Sequence, residues 1–128
     1  MAGIDQISTA NAPAPAGHYV QATRWEGLVH IAGQLPVPPD RSDRSSAPFA
    51  DQARQALGNL LAIAEAAGAG PETMLKVNAY IVGIENWPEF NRVFAEMFGD
   101  AKPARAVIPV PELHHGYLVE VDAVAVAR

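Results

Sequence analysis

Residues 48–68 read Pro-Phe-Ala-Asp-Gln-Ala-Arg-Gln-Ala-Leu-Gly-Asn-Leu-Leu-Ala-Ile-Ala-Glu-Ala-Ala-Gly, and this stretch decides the fold. Its apolar residues recur at the three- and four-residue spacing of a helix and form one stripe. The members of the stripe are Phe49, Ala53, Ala56, Leu57, Leu60, Ile63 and Ala64. Gly68 is a typical helix stop. The pattern predicts an amphipathic helix from about Pro48 to Ala67, whose apolar stripe must be buried against another layer.

The chain before this helix has the character of a β-hairpin followed by a loop. Residues 19–23 and 28–32 are predicted strands, and residues 25–27 between them form the predicted turn. Gly33 is expected to stop the second strand. Residues 36–47 hold three prolines and three serines, which is typical of a long surface loop.

The chain after the helix alternates strand and helix patterns. Residues 74–82 are a predicted strand because apolar and polar residues alternate along them. A second helix is predicted from Asn86, with proline in its first turn and Glu89 completing a capping-box-like pair. Its apolar face consists of Phe90, Val93, Phe94 and Met97, and Gly99 ends it. Residues 105–110 and 117–127 are predicted to be the last two strands.

The predicted order β-β-α-β-α-β-β indicates an α+β fold with two helices covering one face of a single sheet. The other sheet face is left without a helix to cover it, which is typical of a protein that oligomerises. Residues 1–16 are rich in alanine, proline and glycine and are expected to form a flexible lead-in. Residues 17–128 are expected to form one domain.

Composition excludes several functional classes. The net charge is −5 and there is no basic block, so a nucleic-acid partner is not expected. The chain has no cysteine, which excludes disulfides, a thiol nucleophile and thiolate metal sites. No apolar run reaches membrane-spanning length, so no membrane partner is expected. These properties favour a cytoplasmic globular protein.

Arg105 and Glu120 are the residues best suited to chemistry. A guanidinium matches a carboxylate through two parallel hydrogen bonds, and a glutamate can orient or deprotonate a water. If the two lie on neighbouring strands, they suit a small anionic substrate that reacts with water. An ordinary ion pair at the strand ends remains the alternative from the residues alone.

Several segments, taken in order over residues 17–126, resemble the RidA/YjgF family of reactive intermediate deaminases. Each motif is weak alone, but the order and spacing together are specific. The matching segments are GHYVQA at 17–22, LVHIAGQLP at 28–36, QARQALGNL at 52–60, EAAG at 65–68, FNRVF at 90–94, PAR at 103–105 and LVEVDAVA at 118–125.

The resemblance implies a chorismate-mutase-like fold and a homotrimer with a central barrel and clefts at the subunit interfaces. It implies hydrolysis of reactive 2-enamino and 2-imino acids to 2-keto acids and ammonia, with no metal and no organic cofactor. Arg105 would bind the substrate carboxylate, and Glu120 would help to place the water. The rival function is a non-catalytic trimer of the same family that binds small carboxylates or acts as a chaperone-like or regulatory protein.

The resemblance also implies substrate contacts for Tyr19, Gly33 and Asn91, each with a simpler alternative. Tyr19 is equally suited to be a strand aromatic that fills an interface. Gly33 could simply end a strand. Asn91 lies off the apolar stripe of its helix and is as well explained as a solvated amide.

The chain departs from the family pattern at a few positions. Val20 and Ala32 replace serines, which predicts a more apolar cleft and a substrate with a larger or more apolar side chain. His114 and His115 replace the usual Leu-Pro-containing loop. Adjacent side chains diverge and no third ligand is evident, so a loop role is favoured for this pair over a metal site.

Overall fold

The structure is a computed structural model that describes residues 3–128. Its strands are β1 (Asp5–Ile7), β2 (Ala22–Trp25), β3 (Leu28–Gln34), β4 (Met74–Val82), β5 (Ala104–Val110) and β6 (Val119–Val126). Its α-helices are α1 (Phe49–Ala66) and α2 (Trp87–Phe98). Short 3₁₀ helices occur at Pro71–Thr73, Ile84–Asn86 and His114–Gly116. None of the helices in this range has the length and hydropathy to cross a bilayer.

Within the described range the strands form a single mixed sheet in the order β1-β2-β3-β6-β4-β5. The β4–β5 pair is parallel, and the other pairs are antiparallel. The parallel pair is connected through α2, as parallel strands require a crossover. The predicted fold class, a single mixed sheet with two helices packed on one face, is confirmed.

The core lies between the sheet and the two helices. Along β6, alternate residues Val119, Val121 and Ala125 are fully buried under the helices. The facing side of α1 contributes Leu57, Leu60 and Ile63, all with 0% exposure. Burying one such aliphatic side chain contributes about 1.5–3 kcal/mol. This burial fixes which face of each strand meets the helices, and therefore which side chains point to the opposite face.

The expectation of a flexible lead-in over residues 1–16 is wrong for its described part, and residues 1 and 2 lie outside the described residues. Residues 5–7 form β1, which pairs with β2 from Asp5–Arg24 to Ile7–Ala22. Ile7 is 8% exposed and Ala12 is 3% exposed, so this segment contributes to the core. A strand of three residues is too short for alternation to distinguish it from a loop.

Three local predictions are also corrected. β2 begins at Ala22 rather than at residue 19, and β3 continues through Gly33 to Gln34. The capping box of α2 is absent, because Asn86 belongs to the preceding 3₁₀ helix with φ −81° and ψ −3°. Its side chain donates instead to the carbonyl oxygen of Val82 at 3.0 Å. The hairpin, α1, β4 and the glycine end of α2 are confirmed.

Candidate active site

Glu120 points away from the helices because its neighbours Val119 and Val121 are buried beneath them. The β3–β6 register is irregular between Ile31 and Gln34, which is the mark of a bulge. Gly33 lies in this bulge, and a Cβ there would be 2.7 Å from Oε2 of Glu120. Glycine at residue 33 therefore leaves the space that the carboxylate occupies, and it does not end the strand, because β3 continues to Gln34.

Burial raises the pKa of Glu120 above its ordinary value, since its surroundings disfavour the charged form. The nearby Asp122 carboxylate also raises this pKa, and His114 lowers it. The ion pairs formed within residues 3–128 use other acidic residues. A half-buried carboxylate whose pKa is raised, and which forms no ion pair within residues 3–128, suits proton transfer to and from a bound water.

A cleft of about 560 Å³ opens beside Glu120. Its first wall is the loop at residues 13–17 together with Tyr19. Its second wall includes Ala32, Gly33, Gln34, Leu35 and Val37. Tyr19 lies in a loop rather than in a strand and is 52% exposed. The structure thus brings Tyr19, Gly33 and Glu120 to one cleft. Ala32 lines this cleft as well, whereas the residues that form its lining do not include Val20.

Buried amide side chains fix the walls of this cleft. Gln21, which is 3% exposed, donates to the carbonyl oxygens of Thr9 at 3.1 Å, Ala12 at 3.3 Å and Pro13 at 2.9 Å. The backbone N–H of Thr9 donates back to Oε1 of Gln21 at 2.7 Å. Because the amide uses both its donors and its acceptor, the first wall is tied firmly to the start of β2.

The second wall is tied to α1. Asn59, which is 1% exposed, donates to the carbonyl oxygens of Leu35 at 3.1 Å and Val37 at 2.8 Å. Gln52, also 1% exposed, donates to the carbonyl oxygens of Ser45 and Ala47 at the far end of the loop. Its Oε1 accepts from the backbone N–H of Leu118, just before β6. These amides belong to the segments that carry the family resemblance. Their buried position could not be inferred from helical spacing, which assigns the buried face to apolar residues.

Arg105 lies on the helix-covered side of β5, among aromatic rings of α2. Its Cζ is 4.8 Å from the ring centroid of Phe94, 5.7 Å from that of Trp87 and 5.9 Å from that of Phe90. Burial lowers the pKa of the guanidinium, but an arginine in a protein still keeps its charge. Cation–π contacts hold the guanidinium in place while leaving its hydrogen-bond donors available.

A second hollow, of about 420 Å³, contains Arg105 and Asn91. This hollow is separate from the cleft at Glu120. The expectation that Arg105 and Glu120 lie on neighbouring strands is wrong. β4 lies between β5 and β6, and the two side chains point to opposite faces of the sheet. The ion pairs of residues 3–128 use Arg24, Arg54, Arg92 and Arg128. The simple ion-pair alternative for Arg105 and Glu120 is therefore excluded within one chain.

Several residues at these two sites were missed from the sequence. Trp87 lies at the start of the predicted second helix, and nothing in the sequence pattern indicates that its ring contacts the Arg105 guanidinium. Arg41, His114 and His115 line the cleft at Glu120. The histidines occupy a short turn, as expected for a loop role. Among the described residues, no group of three or more potential ligands is placed to hold a metal ion.

The chain is similar in sequence to a known protein family and to several of its members. The family described as "Endoribonuclease L-PSP" matches residues 9–127. A RutC family protein of Pyrococcus horikoshii is 40% identical over 119 residues, which cover 93% of this chain and 94% of that protein. A 2-iminobutanoate/2-iminopropanoate deaminase of Dermatophagoides farinae is 35% identical over 120 residues, which cover 94% of each chain.

The solved structure of a Rid family protein from Yersinia pestis superposes with a TM-score of 0.93 at 32% identity, covering 98% of this chain and 100% of that one. The fold defines the class of α+β proteins that have a single mixed sheet with two helices packed on one face. Within that class, the chain belongs to the RidA/YjgF family.

Proposed function

We propose that this protein is an enamine/imine deaminase that hydrolyses reactive 2-imino acids to 2-keto acids and ammonia. The enamine first tautomerises to the imine, and water adds across the carbon–nitrogen double bond. Glu120 accepts a proton from the water and returns it to nitrogen. The carbon–nitrogen bond of the resulting carbinolamine then breaks, which leaves the ketone and releases ammonia. The observation that carries the proposal is the open cleft that brings Tyr19, Gly33 and the half-buried Glu120 together, where burial raises the pKa of Glu120.

The proposed site is composite and needs two subunits. Arg105 and Asn91 of one subunit would face Tyr19, Gly33 and Glu120 of its neighbour. Support comes from the separation of the two hollows within one chain. Arg105 would bind the substrate carboxylate through its free donors, and Glu120 would move the protons. Neither residue alone would be sufficient.

The proposed assembly is a homotrimer in which three sheets form a central barrel. Support comes from the sheet face that the helices leave uncovered. Leu28, Ile108 and Val126 on this face are 40%, 39% and 37% exposed, which is unusual for large apolar side chains on a sheet. The same face carries Asp122, which accepts hydrogen bonds from Asn78 and Tyr80 at 2.9 Å each. A partner sheet would bury the apolar positions and keep this polar group satisfied.

The alternative function is a non-catalytic trimer that binds small carboxylates or acts in regulation. The name of the matching family refers to ribonuclease activity, but a net charge of −5 disfavours binding to a phosphate backbone. A carboxyl group in the cleft disfavours passive anion binding, because its ionised form repels an anionic ligand, whereas proton transfer makes use of it. This argues for catalysis.

A coupled deamination assay tests the proposed function. Several 2-imino acids are generated in situ by amino-acid oxidases, and formation of the keto acid is compared with spontaneous hydrolysis. Wild-type protein is expected to accelerate hydrolysis of at least one imine, and Arg105→Ala is expected to remove that acceleration. Arg92→Ala is the matched control, because Arg92 is an exposed arginine of α2 that pairs with Glu89 and Glu96. No acceleration of any imine by wild-type protein would leave the non-catalytic alternative.

A further inference from the structure

Three basic side chains line the cleft at Glu120, and the part of the cleft that they line is called its basic end. Arg41, His114 and His115 line it, and Glu120 is the one carboxylate in the lining. This contrasts with the chain as a whole, whose net charge is −5. Arg41 lies in the loop between β3 and α1, while the histidines precede β6. Arg41 and the two histidines come from two separate segments and line one cleft, and the permanent charge of Arg41 is the feature that favours an anion there.

The backbone at this basic end is held in an uncommon conformation. Among the described residues, the non-glycine positions with positive φ are Glu26 at 50°, Arg41 at 62° and His115 at 61°. Glu26 belongs to the tight turn between β2 and β3, where such angles are common. The other two line the cleft. Left-handed backbone at ordinary residues is disfavoured and concentrates at ligand clamps and active sites, so its occurrence at both basic segments points to a ligand.

Local hydrogen bonds hold Arg41 in this conformation. Its backbone N–H donates to the carbonyl oxygen of Pro38 at 2.8 Å. Its Nη1 donates to the carbonyl oxygen of Ala14 across the cleft at 2.6 Å. The guanidinium is thus anchored at one nitrogen and keeps further donors for a ligand. Arg41 is absent from the ion pairs of residues 3–128, which use Arg24, Arg54, Arg92 and Arg128.

We infer that the basic end of the cleft binds a second carboxylate, so that the preferred substrates are dicarboxylic 2-imino acids. The inference rests on the proposed function, in which Arg105 of a neighbouring subunit binds the carboxylate next to the imine. Leu35 and Val37 line the same cleft and suit the aliphatic chain between the two carboxylates. The volume of about 560 Å³ leaves room for a substrate longer than three carbons. The substrate side chain is therefore larger, as expected from the sequence, but it ends in an acidic rather than an apolar group.

Binding of stable keto acids tests this inference without turnover. 2-Oxoglutarate and 2-oxopentanoate have the same chain length and differ by the distal carboxylate. Calorimetry on the whole protein is expected to show binding of 2-oxoglutarate at least about tenfold tighter, since charge-assisted hydrogen bonds are strong. Arg41→Gln is expected to remove most of this preference. Arg44→Gln is the matched control, because Arg44 lies in the same loop and outside the cleft lining, and it is expected to keep the preference.

Equal binding of the two keto acids by wild-type protein, no binding of either, or a preference that survives Arg41→Gln would each overturn the inference. Hydrolysis of the imines of glutamate and glutamine gives a second readout. The inference predicts a higher kcat/KM for the imine of glutamate, and Arg41→Gln is expected to lower that value while sparing the imine of glutamine. Hydrolysis of neutral imines alone would refute the second-carboxylate site and leave the deaminase proposal intact. A dicarboxylate preference in binding without hydrolysis of any imine would support the site and refute the deaminase.

Discussion

At the scale of single residues, the surroundings of Arg105 explain how a cation can be buried and still free to bind. Aromatic rings of α2 replace the carboxylate partner that a half-buried arginine usually has. The identity of Arg105 and Glu120 as candidates could be predicted from the sequence. The aromatic surroundings could not, because Phe90 and Phe94 also satisfy the pattern of an ordinary core stripe.

Arg105→Ala is expected to lower kcat/KM at least about tenfold, because a charge-assisted contact to the substrate contributes about 1.5–3 kcal/mol. Arg105→Lys is expected to recover little, since a lysine lacks the planar two-donor geometry. Steady-state kinetics on each imine measures both effects, with circular dichroism to show that the variants are folded. Wild-type rates in Arg105→Ala on every imine would contradict the assignment.

Glu120→Gln is expected to lower turnover more than it lowers keto-acid binding, since glutamine can hold a water but cannot accept its proton. In wild-type protein, kcat/KM is expected to fall with decreasing pH through a pKa above the ordinary 4.5 of glutamate. The variant is expected to lack this acidic limb. Equal losses in binding and turnover would show that Glu120 mainly supports the structure of the interface.

The raised pKa of Glu120 also makes the free energy of unfolding depend on pH. Below the ordinary pKa the carboxyl is protonated in both folded and unfolded chains, so wild type and Glu120→Gln are expected to be equally stable. As pH rises toward the raised pKa, the unfolded chain releases its proton first, and the wild-type free energy of unfolding falls. Glu120→Gln is therefore expected to be the more stable variant at pH 7. Denaturant titrations at pH 4 and pH 7 measure this difference, and a less stable variant at pH 7 would contradict it.

Gly33→Ala is expected to lower activity with little loss of stability. The added Cβ would approach Oε2 of Glu120 to 2.7 Å, and the carboxylate can turn away at low cost because it is the end of a flexible side chain. Kinetics and thermal unfolding separate the two effects. A large loss of stability with unchanged activity per folded molecule would show that Gly33 serves only the strand.

At the scale of elements, α1 both buries an apolar stripe and anchors the loop that precedes it. Its buried amides hold the loop that forms one wall of the cleft. The bounds of α1 and β4 follow from periodicity, because each has a long buried face. The strand β1 and the start of α2 near Asn86 do not follow from periodicity. A three-residue strand and a 3₁₀ turn before a helix both depend on tertiary context.

Asn59→Ala is expected to reduce the free energy of unfolding by about 1–3 kcal/mol, because the carbonyl oxygen of Val37 would lose its donor and that of Leu35 would keep only the backbone N–H of Val37. KM is expected to rise, since the loop loses its anchor. Arg54→Ala on the same helix is the control, and its exposed ion pairs are expected to contribute less than about 1 kcal/mol. Equal effects of the two substitutions on stability would contradict the anchoring role.

At the scale of the whole molecule, the uncovered sheet face and the two separate hollows have one common explanation. A cyclic trimer would cover the face and bring the hollows together. The sequence could predict the uncovered face from the number of helices. It could not predict that β4 separates the strands of Arg105 and Glu120, because strand order is not encoded in the alternation of any one strand.

The protein is expected to have a mass in solution near three chains of 13.6 kDa each. Sedimentation equilibrium at micromolar concentration measures this directly. A mass near a single chain would refute both the assembly and the composite site.

Complementation between inactive variants is the most direct test of the composite site. Arg105→Ala and Glu120→Gln chains are co-expressed in equal amounts, and all the trimers that form, mixed and unmixed, are purified together. If each site takes Arg105 from one subunit and Glu120 from the next, about a quarter of the sites are intact by random assembly in a closed ring. The account predicts about a quarter of wild-type activity from two variants that are each inactive alone. Mixed trimers as inactive as either parent would contradict it.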